Sequence, residues 1–235
     1  GRQILTDVNL EIHGGEILGL AGVEGNGQGE LIELIMGLLK PSSGQVEVLG
    51  LDATTTLTKD IRNAGVAYIP QDRQRDGLLM TAPLWENRVL GHQFAEPLAR
   101  NIWVNKGAAV DDSKRVVAEF DVRTPGVNVL ASALSGGNQQ KFIVGRELSG
   151  DPKLIVAAQP TRGVDVGAQA IIWDHLMRAR SAGAGVLLVS ADLDELFSLS
   201  DRIAVIYNGS IVSVLNPSKT TPEALGLAMT GAKSA

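Results

Sequence analysis

Two glycine-rich turns carry most of the chemistry this chain could perform. The first, L-S-G-G-N-Q-Q-K at Leu134 to Lys141, is a Ser-Gly-Gly turn that opens straight into a polar, then apolar, helical run. Such a helix start presents a hydroxyl at Ser135 and backbone N–H groups at Gly136, Gly137 and Asn138 that have no partner inside the helix. That arrangement suits anionic oxygens, although many such turns do no more than cap a helix. The second turn, G-V-E-G-N-G-Q-G-E at Gly22 to Glu30, lies between an apolar strand pattern and a helical one, the setting of a phosphate-binding loop. That motif asks for G-x-x-x-x-G-K-[ST]. Gly22 and Gly27 are in place, with Gly25 and Asn26 between them, and a nest of backbone N–H groups could form. Gln28, however, stands where the Lys belongs, and Gly29 where a hydroxyl would hold Mg²⁺. Glu30 sets a carboxylate at the helix start, where it satisfies the helix dipole itself and repels phosphate. One lost charged hydrogen bond to phosphate costs about 1.5–3 kcal/mol, or about 10–100-fold in affinity. The plain alternative is a strand–helix turn that holds no ligand.

The elements that position these turns follow from periodicity. Val8 to Ile12 alternates as a strand, and Gly14-Gly15 turns it into a buried strand, Ile17 to Ala21. A helix follows the glycine loop, with Leu31, Ile32, Leu34, Ile35 and Leu38 on one face and Pro41 and Gly44 as its stop. Val46 to Leu49 and Val66 to Pro70 read as strands around a short helix, Leu57 to Arg62. From Leu84 to Ser149 the pattern is helical and irregular, with helices at Trp85 to Leu90, Asp112 to Phe120 and Gln139 to Leu148. Phe94 to Ala109 reads as a variable loop. Strand and helix then alternate again: Leu154 to Ala158, Gly167 to Arg180, Val186 to Ser190, Asp194 to Ser198. Ile203 to Tyr207 and Ile211 to Val214 form a hairpin around Asn208-Gly209, a type I′ turn signal, and a last helix runs from Thr221 or Pro222 to Met229. The predicted fold is α/β, a mostly parallel sheet with antiparallel strands and an inserted helical subdomain. Its divisions are 1–83, 84–149 and 150–235. Ligands in such sheets bind at the C-terminal strand ends.

Bulk properties narrow the classes. The 235 residues are 44% hydrophobic and 20% charged, with a net charge of −5, so no nucleic-acid or anionic-membrane surface covers the whole domain. Aromatics at 4% argue against base-stacking platforms. With no cysteine, disulfides and thiolate metal sites are excluded. No apolar run approaches the ~18–20 residues of a membrane span, so any membrane role must come through a partner. No signal peptide is visible, and Gly1 does not read as a natural start.

Together the Ser-Gly-Gly turn, the glycine loop and the strand L-I-V-A-A-Q-P-T (Leu154 to Thr161) resemble the ATP-binding-cassette (ABC) ATPase domain, whose signature is L-S-G-G-Q. The resemblance runs over nearly the whole chain and implies roles for further residues. In the family the Leu154–Thr161 strand ends Asp-Glu before Pro-Thr. Here Ala158 replaces the Asp that holds Mg²⁺ through water. Gln159 replaces the Glu that orients and deprotonates the attacking water, and Gln cannot accept a proton. Losing a general base costs about 10²–10⁴ in rate. T-R-G-V-D (Thr161 to Asp165) fits the D-loop, with Asp165 in the matching place, where it could equally cap the next helix. V-S-A-D-L (Val189 to Leu193) matches the switch strand, with Ala191 in place of His. Asp192, Asp194 and Glu195 read as negative charge at a helix start. Gln71, in A-Y-I-P-Q-D-R, matches the Q-loop, which senses γ-phosphate and touches the membrane subunit; the charged run Asp72 to Asp76 could instead be a solvated loop. His13, His92 and His175 lie in no motif and read as ordinary residues.

The resemblance implies a chain with no catalytic residues of its own, since Gln28, Ala158, Gln159 and Ala191 are all substituted. Its Ser135, Gly136, Gly137 and Asn138 would complete a partner cassette's ATP site. ATP is then expected at the shared interface and Mg²⁺ only in the partner's site. Strings such as P-Q-D-R-x-R-D-G-L, F-D-V-R-T-P and A-A-Q-P-T-R-G-V-D-V-G-A are similar to those of the second cassette of bacterial simple-sugar and nucleoside importers. The Ala-Gln pair before Pro160 is nearer the nucleoside branch. The implied partners are a cassette fused N-terminally, transmembrane permease subunits and, indirectly, an extracytoplasmic substrate-binding protein, with no nucleic acid. The implied location is the cytoplasmic face of the membrane. On this reading the family's first strand precedes Gly1. The competing expectations are a non-transport ABC-type scaffold or regulator, and an active ATPase with a substituted mechanism.

Overall fold

The computed structural model describes residues 4–93, 96–100 and 103–231. Its elements in chain order are β1 (Ile17–Ala21), α1 (Gln28–Ile35), β2 (Glu47–Val48), β3 (Leu51–Asp52), α2 (Thr58–Asn63) and β4 (Val66–Ile69). Then come α3 (Leu84–Val89), β5 (Ala99–Arg100), β6 (Trp103–Val104), α4 (Lys106–Glu119) and α5 (Gly136–Leu148). The chain continues with β7 (Leu154–Ala158), α6 (Val166–Ser181), β8 (Gly185–Ser190), α7 (Leu193–Leu199), β9 (Arg202–Tyr207), β10 (Ser210–Leu215) and α8 (Pro222–Met229). They form two compact units: Gly1–Ala67 with Lys153–Gln159 and Met177–Ala235, and Tyr68–Pro152 with Pro160–Leu176.

The first unit is built on a sheet of order β10-β9-β1-β8-β7-β4, in which β4 begins before the chain passes into the second unit. β1 is parallel to both β8 and β9, β7 is parallel to β8, and β10 closes the edge antiparallel to β9. Every residue of β1, β7 and β8 is buried. Strands covered on both faces read as continuous apolar runs rather than alternation, which is why these three were legible. The register pairs Ala21 with Ser190 and Ala158 with Val189. The loops that follow β1, β7 and β8 therefore leave the same C-terminal edge. Asn208 and Gly209, at φ 46° and 77°, make the expected type I′ hairpin turn.

Three expectations need correction here. No strand forms over Val8 to Ile12. Among the described residues no strand lies along it, so its alternation has no ladder to join; the segment is tied instead by the bond from the Thr6 N–H to Gly209 O (2.8 Å) and by Arg202 Nη2 donating to Glu11 O (3.0 Å). The helix after the glycine loop ends at Ile35, well before Pro41. Leu38 N–H bonds to Glu33 O and Gly37 N–H to Leu34 O, a Schellman ending, and Leu38 is 65% exposed. The stretch 94–109 is not simply a loop. It carries the short hairpin β5–β6 and the start of α4, whose first turn is capped by Asn105 Oδ1 accepting from Ala108 N–H; Phe94, Ala95, Asn101 and Ile102 lie outside the described residues.

The second unit is organised by α5, buried throughout from Gln139 to Leu148 although half its side chains are polar. Each buried polar group is answered. Gln139 donates to Ala131 O and Leu134 O, Gln140 to Pro160 O (2.7 Å), and Arg146 to Gly77 O (2.8 Å). Arg146 also pairs with Glu147 at 2.9 Å, and Glu147 accepts the Tyr68 N–H. Asn87, fully buried, accepts from Leu79 N–H and donates back to Leu79 O, bracing the loop before α3. Arg88 pairs with Asp112 at 2.5 Å; its burial pulls its pKa down, against the pull of Asp112. His175 stacks on Phe120 at 3.9 Å, an ordinary packing role.

Candidate functional site

The glycine loop leaves β1 and enters α1. Gly27, at φ 108°, adopts a backbone that side chains rarely tolerate, and a Cβ there would lie 2.5 Å from Leu5 Cδ2. Gly25 is also left-handed, at φ 89°. What fills the loop is its own Gln28. The Gln28 carboxamide oxygen accepts the Asn26 N–H (3.1 Å), and its nitrogen donates to Val23 O (3.0 Å). Asn26 is engaged as well. Its Nδ2 donates to Val23 O (2.8 Å), and its Oδ1 and backbone O accept the N–H groups of Asn208 and Gly209. Loop and hairpin turn are thus stapled together, with Asn26 as the staple. Gly22 is buried against Ile206, where a Cβ would meet Ile206 O at 2.7 Å. A side chain at Gly29 would meet open space. Glu30 lies in the first turn of α1, as expected.

At the same sheet edge β7 ends in Ala157 and Ala158, both buried. Gln159 follows at φ 50°, its N–H bonded to Val189 O at 2.7 Å. A non-glycine residue held in the left-handed region ahead of Pro160 is uncommon. Ala191 is exposed after β8, and Asp192 next to it caps α7 by accepting from the N–H groups of Asp194 and Glu195. The acidic trio therefore acts as a helix start, as expected. Among the described residues no group of three or more His, Cys, Asp or Glu could hold a metal ion. The side chains at this edge are an amide at 28, none at 29 and a methyl at 158.

The second unit holds the other candidates. Ser135 is the exposed N-cap of α5, at φ −63° and ψ 157°, and its side chain takes no hydrogen bond from its own helix backbone. Its Oγ accepts instead from Asn138 Nδ2 at 2.9 Å, while Asn138 Oδ1 accepts the Arg123 N–H at 2.8 Å. Lys141, one turn further on, holds Asp121 through both its backbone and its carboxylate oxygen; that bond, reinforced by the Lys141 charge, lowers the Asp121 pKa. Asp165 caps α6 by accepting from Ala168 N–H (2.9 Å), and its other oxygen lies 3.3 Å from where a Gly137 Cβ would be. The turn Thr161 to Asp165 and the helix start at Ser135 are neighbours. Gln71 is exposed just beyond β4. The charged run after it is ordered as a single π-helical turn, Arg73–Gly77. Asp72 caps that turn, its pKa lowered by the Arg75 and Gln74 N–H groups. Arg73 donates to Arg162 O (2.8 Å), and its guanidinium would lie 2.5 Å from a Gly136 Cβ. Sequence reasoning named neither Arg73 nor Arg123 as part of this corner. Their strings P-Q-D-R and F-D-V-R were the available signal. A shallow apolar groove of about 350 Å³ on this unit is lined by Leu79, Trp85, Val89, Leu90 and Val104 among others.

Solved structures place the fold. The chain superposes on a nucleotide-free ATP-binding cassette from an ABC transporter with a TM-score of 0.79 and 23% identity, over 97% of this chain and 93% of that one. A cassette in a dimeric post-hydrolysis state bound to ADP and phosphate matches with a TM-score of 0.78 and 22% identity, over 91% and 90%. The fold is that of an ABC ATPase, α/β with a mostly parallel sheet. The sequence profile of the ABC transporter family matches residues 5–162, and the chain belongs to that family. It is 44% identical to the guanosine import ATP-binding protein NupO of Bacillus subtilis, over 98% of this chain and 45% of NupO. It is 41% identical to the nucleoside import ATP-binding protein NupA of Lactococcus lactis, over 95% and 44%. A ribose import ATP-binding protein, RbsA 1 of Rubrobacter xylanophilus, is 34% identical over 100% and 47%. The chain spans about half the length of these relatives. No helix among the described residues is long and apolar enough to cross a membrane.

Proposed function

We propose that this chain is the degenerate cassette of an ABC importer, lending Ser135, Gly136, Gly137 and Asn138 to an ATP held by a partner cassette. The observation that carries the reading is the contrast between its two glycine-rich helix starts. In one, the Gln28 carboxamide folds back into the loop ahead of the helix, onto the Asn26 N–H and the Val23 carbonyl. The other leaves the exposed Ser135 at a helix start whose first backbone N–H groups are available to a phosphate. On this reading Gln28, Ala158, Gln159 and Ala191 stand where an active cassette has its phosphate-binding, metal-binding and proton-accepting groups, and the chain alone does not hydrolyse ATP. Mg²⁺ belongs to the partner's site. The partner cassette precedes this chain in one polypeptide, in line with relatives about twice its length. The divisions 1–83, 84–149 and 150–235 separate the two parts of the ATPase core from the signature-bearing helical part. The unit with Gln71, Trp85 and the apolar groove docks on a permease subunit at the cytoplasmic face, with a substrate-binding protein on the other side. The nucleoside relatives and the Ala-Gln pair before Pro160 favour nucleosides as cargo. The test is transport and ATP hydrolysis by the assembled importer, with guanosine and ribose as competing substrates. Competition by ribose but not by guanosine would overturn the substrate assignment.

A further inference from the structure

We infer that Asn138 is a positioning residue which sets the polarity of the Ser135 hydroxyl. The inference rests on the signature-donor reading above. An Asn side chain can be turned either way unless its partners decide. Here they do. The Arg123 backbone N–H can only donate, so the Asn138 atom 2.8 Å from it is the carbonyl oxygen. The amide nitrogen then faces Ser135 Oγ at 2.9 Å, and the hydroxyl must accept from it. With a lone pair so engaged, the Ser135 proton is turned away from Asn138 as a donor for an anionic oxygen. The Arg123 segment is itself pinned to the same face of α5, because Lys141, three residues past Asn138, holds Asp121. The strings F-D-V-R and S-G-G-N-Q-Q-K are two halves of one device, with backbone N–H, carboxamide and hydroxyl in series. The Asn138 side chain does not touch the nucleotide on this account, only its backbone N–H does; the carboxamide acts through Ser135. Asn138→Asp keeps the shape and the bond from Arg123 but offers a second acceptor to Ser135, which draws the hydroxyl proton inward and leaves a lone pair facing phosphate.

The experiment is ATP turnover by the assembled importer carrying Ser135→Ala, Asn138→Ala, Asn138→Asp, and the double variant Ser135→Ala/Asn138→Ala. Ser135→Ala is expected to lose about 10–100-fold, one charged hydrogen bond. Asn138→Asp should lose at least as much. Asn138→Ala, which lets the hydroxyl rotate, should lose less, and that loss should disappear in the Ser135→Ala background. A merely structural role for Asn138, holding the Arg123 segment, would survive in that background and make the two losses multiply. Multiplying losses, or an Asn138→Asp importer as active as the wild type, would overturn the inference while leaving the signature-donor reading standing. Full activity of Ser135→Ala would overturn both.

Discussion

The loop at Gly22–Glu30 and the turn at Leu134–Lys141 are both glycine-rich entries to helices, yet each turns a side-chain carboxamide to a different end. In the first, a side chain from the helix itself folds back: Gln28 takes the Asn26 N–H and the Val23 carbonyl, and Asn26 is tied to the hairpin turn. In the second, Asn138 also folds back, but onto a hydroxyl rather than onto the backbone, and Ser135 stays exposed. A carboxamide can close a ligand site or prepare one, and the difference lies in which atom it satisfies. The second start is also braced by a buried polar network, which the first lacks a counterpart to in its exposed Val23, Glu24 and Gly25.

That contrast can be broken from either side. The largest expected effect on the fold comes from Glu147→Ala, which takes the carboxylate from the buried Arg146 and an acceptor from the Tyr68 N–H. Removing one partner of a buried pair costs about 3–5 kcal/mol, read as a shift in the urea midpoint; a change under about 1 kcal/mol would mean the network does not hold α5. Gln28→Lys replaces the plugging amide by a cation. It should tighten ATP binding to the isolated chain by roughly 10-fold or more, the worth of a charged hydrogen bond, measured with a fluorescent ATP analogue. An unchanged affinity would show that Glu30, rather than Gln28, closes the loop. Asp192→Ala removes the cap of α7 and should cost about 0.5–2 kcal/mol, visible in thermal unfolding, without altering the loop. The smallest effect concerns Asp121. Its pKa in the folded chain lies below its ordinary 3.8 because Lys141 bonds to it. The stabilisation is fully present above 3.8 and fades as pH falls through the lowered value. Asp121→Asn should therefore unfold more readily than the wild type at pH 7, and the gap should close in strong acid. No gap at pH 7 would mean that Lys141 is held by the Asp121 backbone carbonyl alone, and a gap that persists in strong acid would mean that the carboxylate charge is not its cause.

How much of this was legible differs between the two regions for the same physical reason. β1 and β7 could be read to the residue, because a strand buried on both faces is a run of apolar residues bounded by glycine or Pro. The hairpin was equally plain from Asn208-Gly209. Val8 to Ile12 alternates as a strand would, but alternation records which face is apolar and not whether a neighbour supplies a ladder. The stop at Ile35 depended on Gly37 turning left-handed rather than on the more conspicuous Pro41. At the candidate site, Gln28, Ala158, Gln159 and Ala191, which the family resemblance sets at catalytic positions, were visible one letter at a time. What Gln28 does with its amide, and what Arg123 does for Asn138, needed the folded chain, because each depends on a backbone group that no residue type announces. The same holds for Glu147, whose partners Tyr68 and Arg146 come from opposite ends of the second unit's first segment.

The most direct test of the account is ATP hydrolysis by this chain alone, and then together with the proposed partner cassette, each with Ser135 intact or changed to Ala. The account predicts no turnover by the chain alone, and turnover by the pair that falls about 10–100-fold without the Ser135 hydroxyl. Mg²⁺-dependent turnover by the isolated chain would contradict it, and would require a proton acceptor other than the residues at 158, 159 and 191.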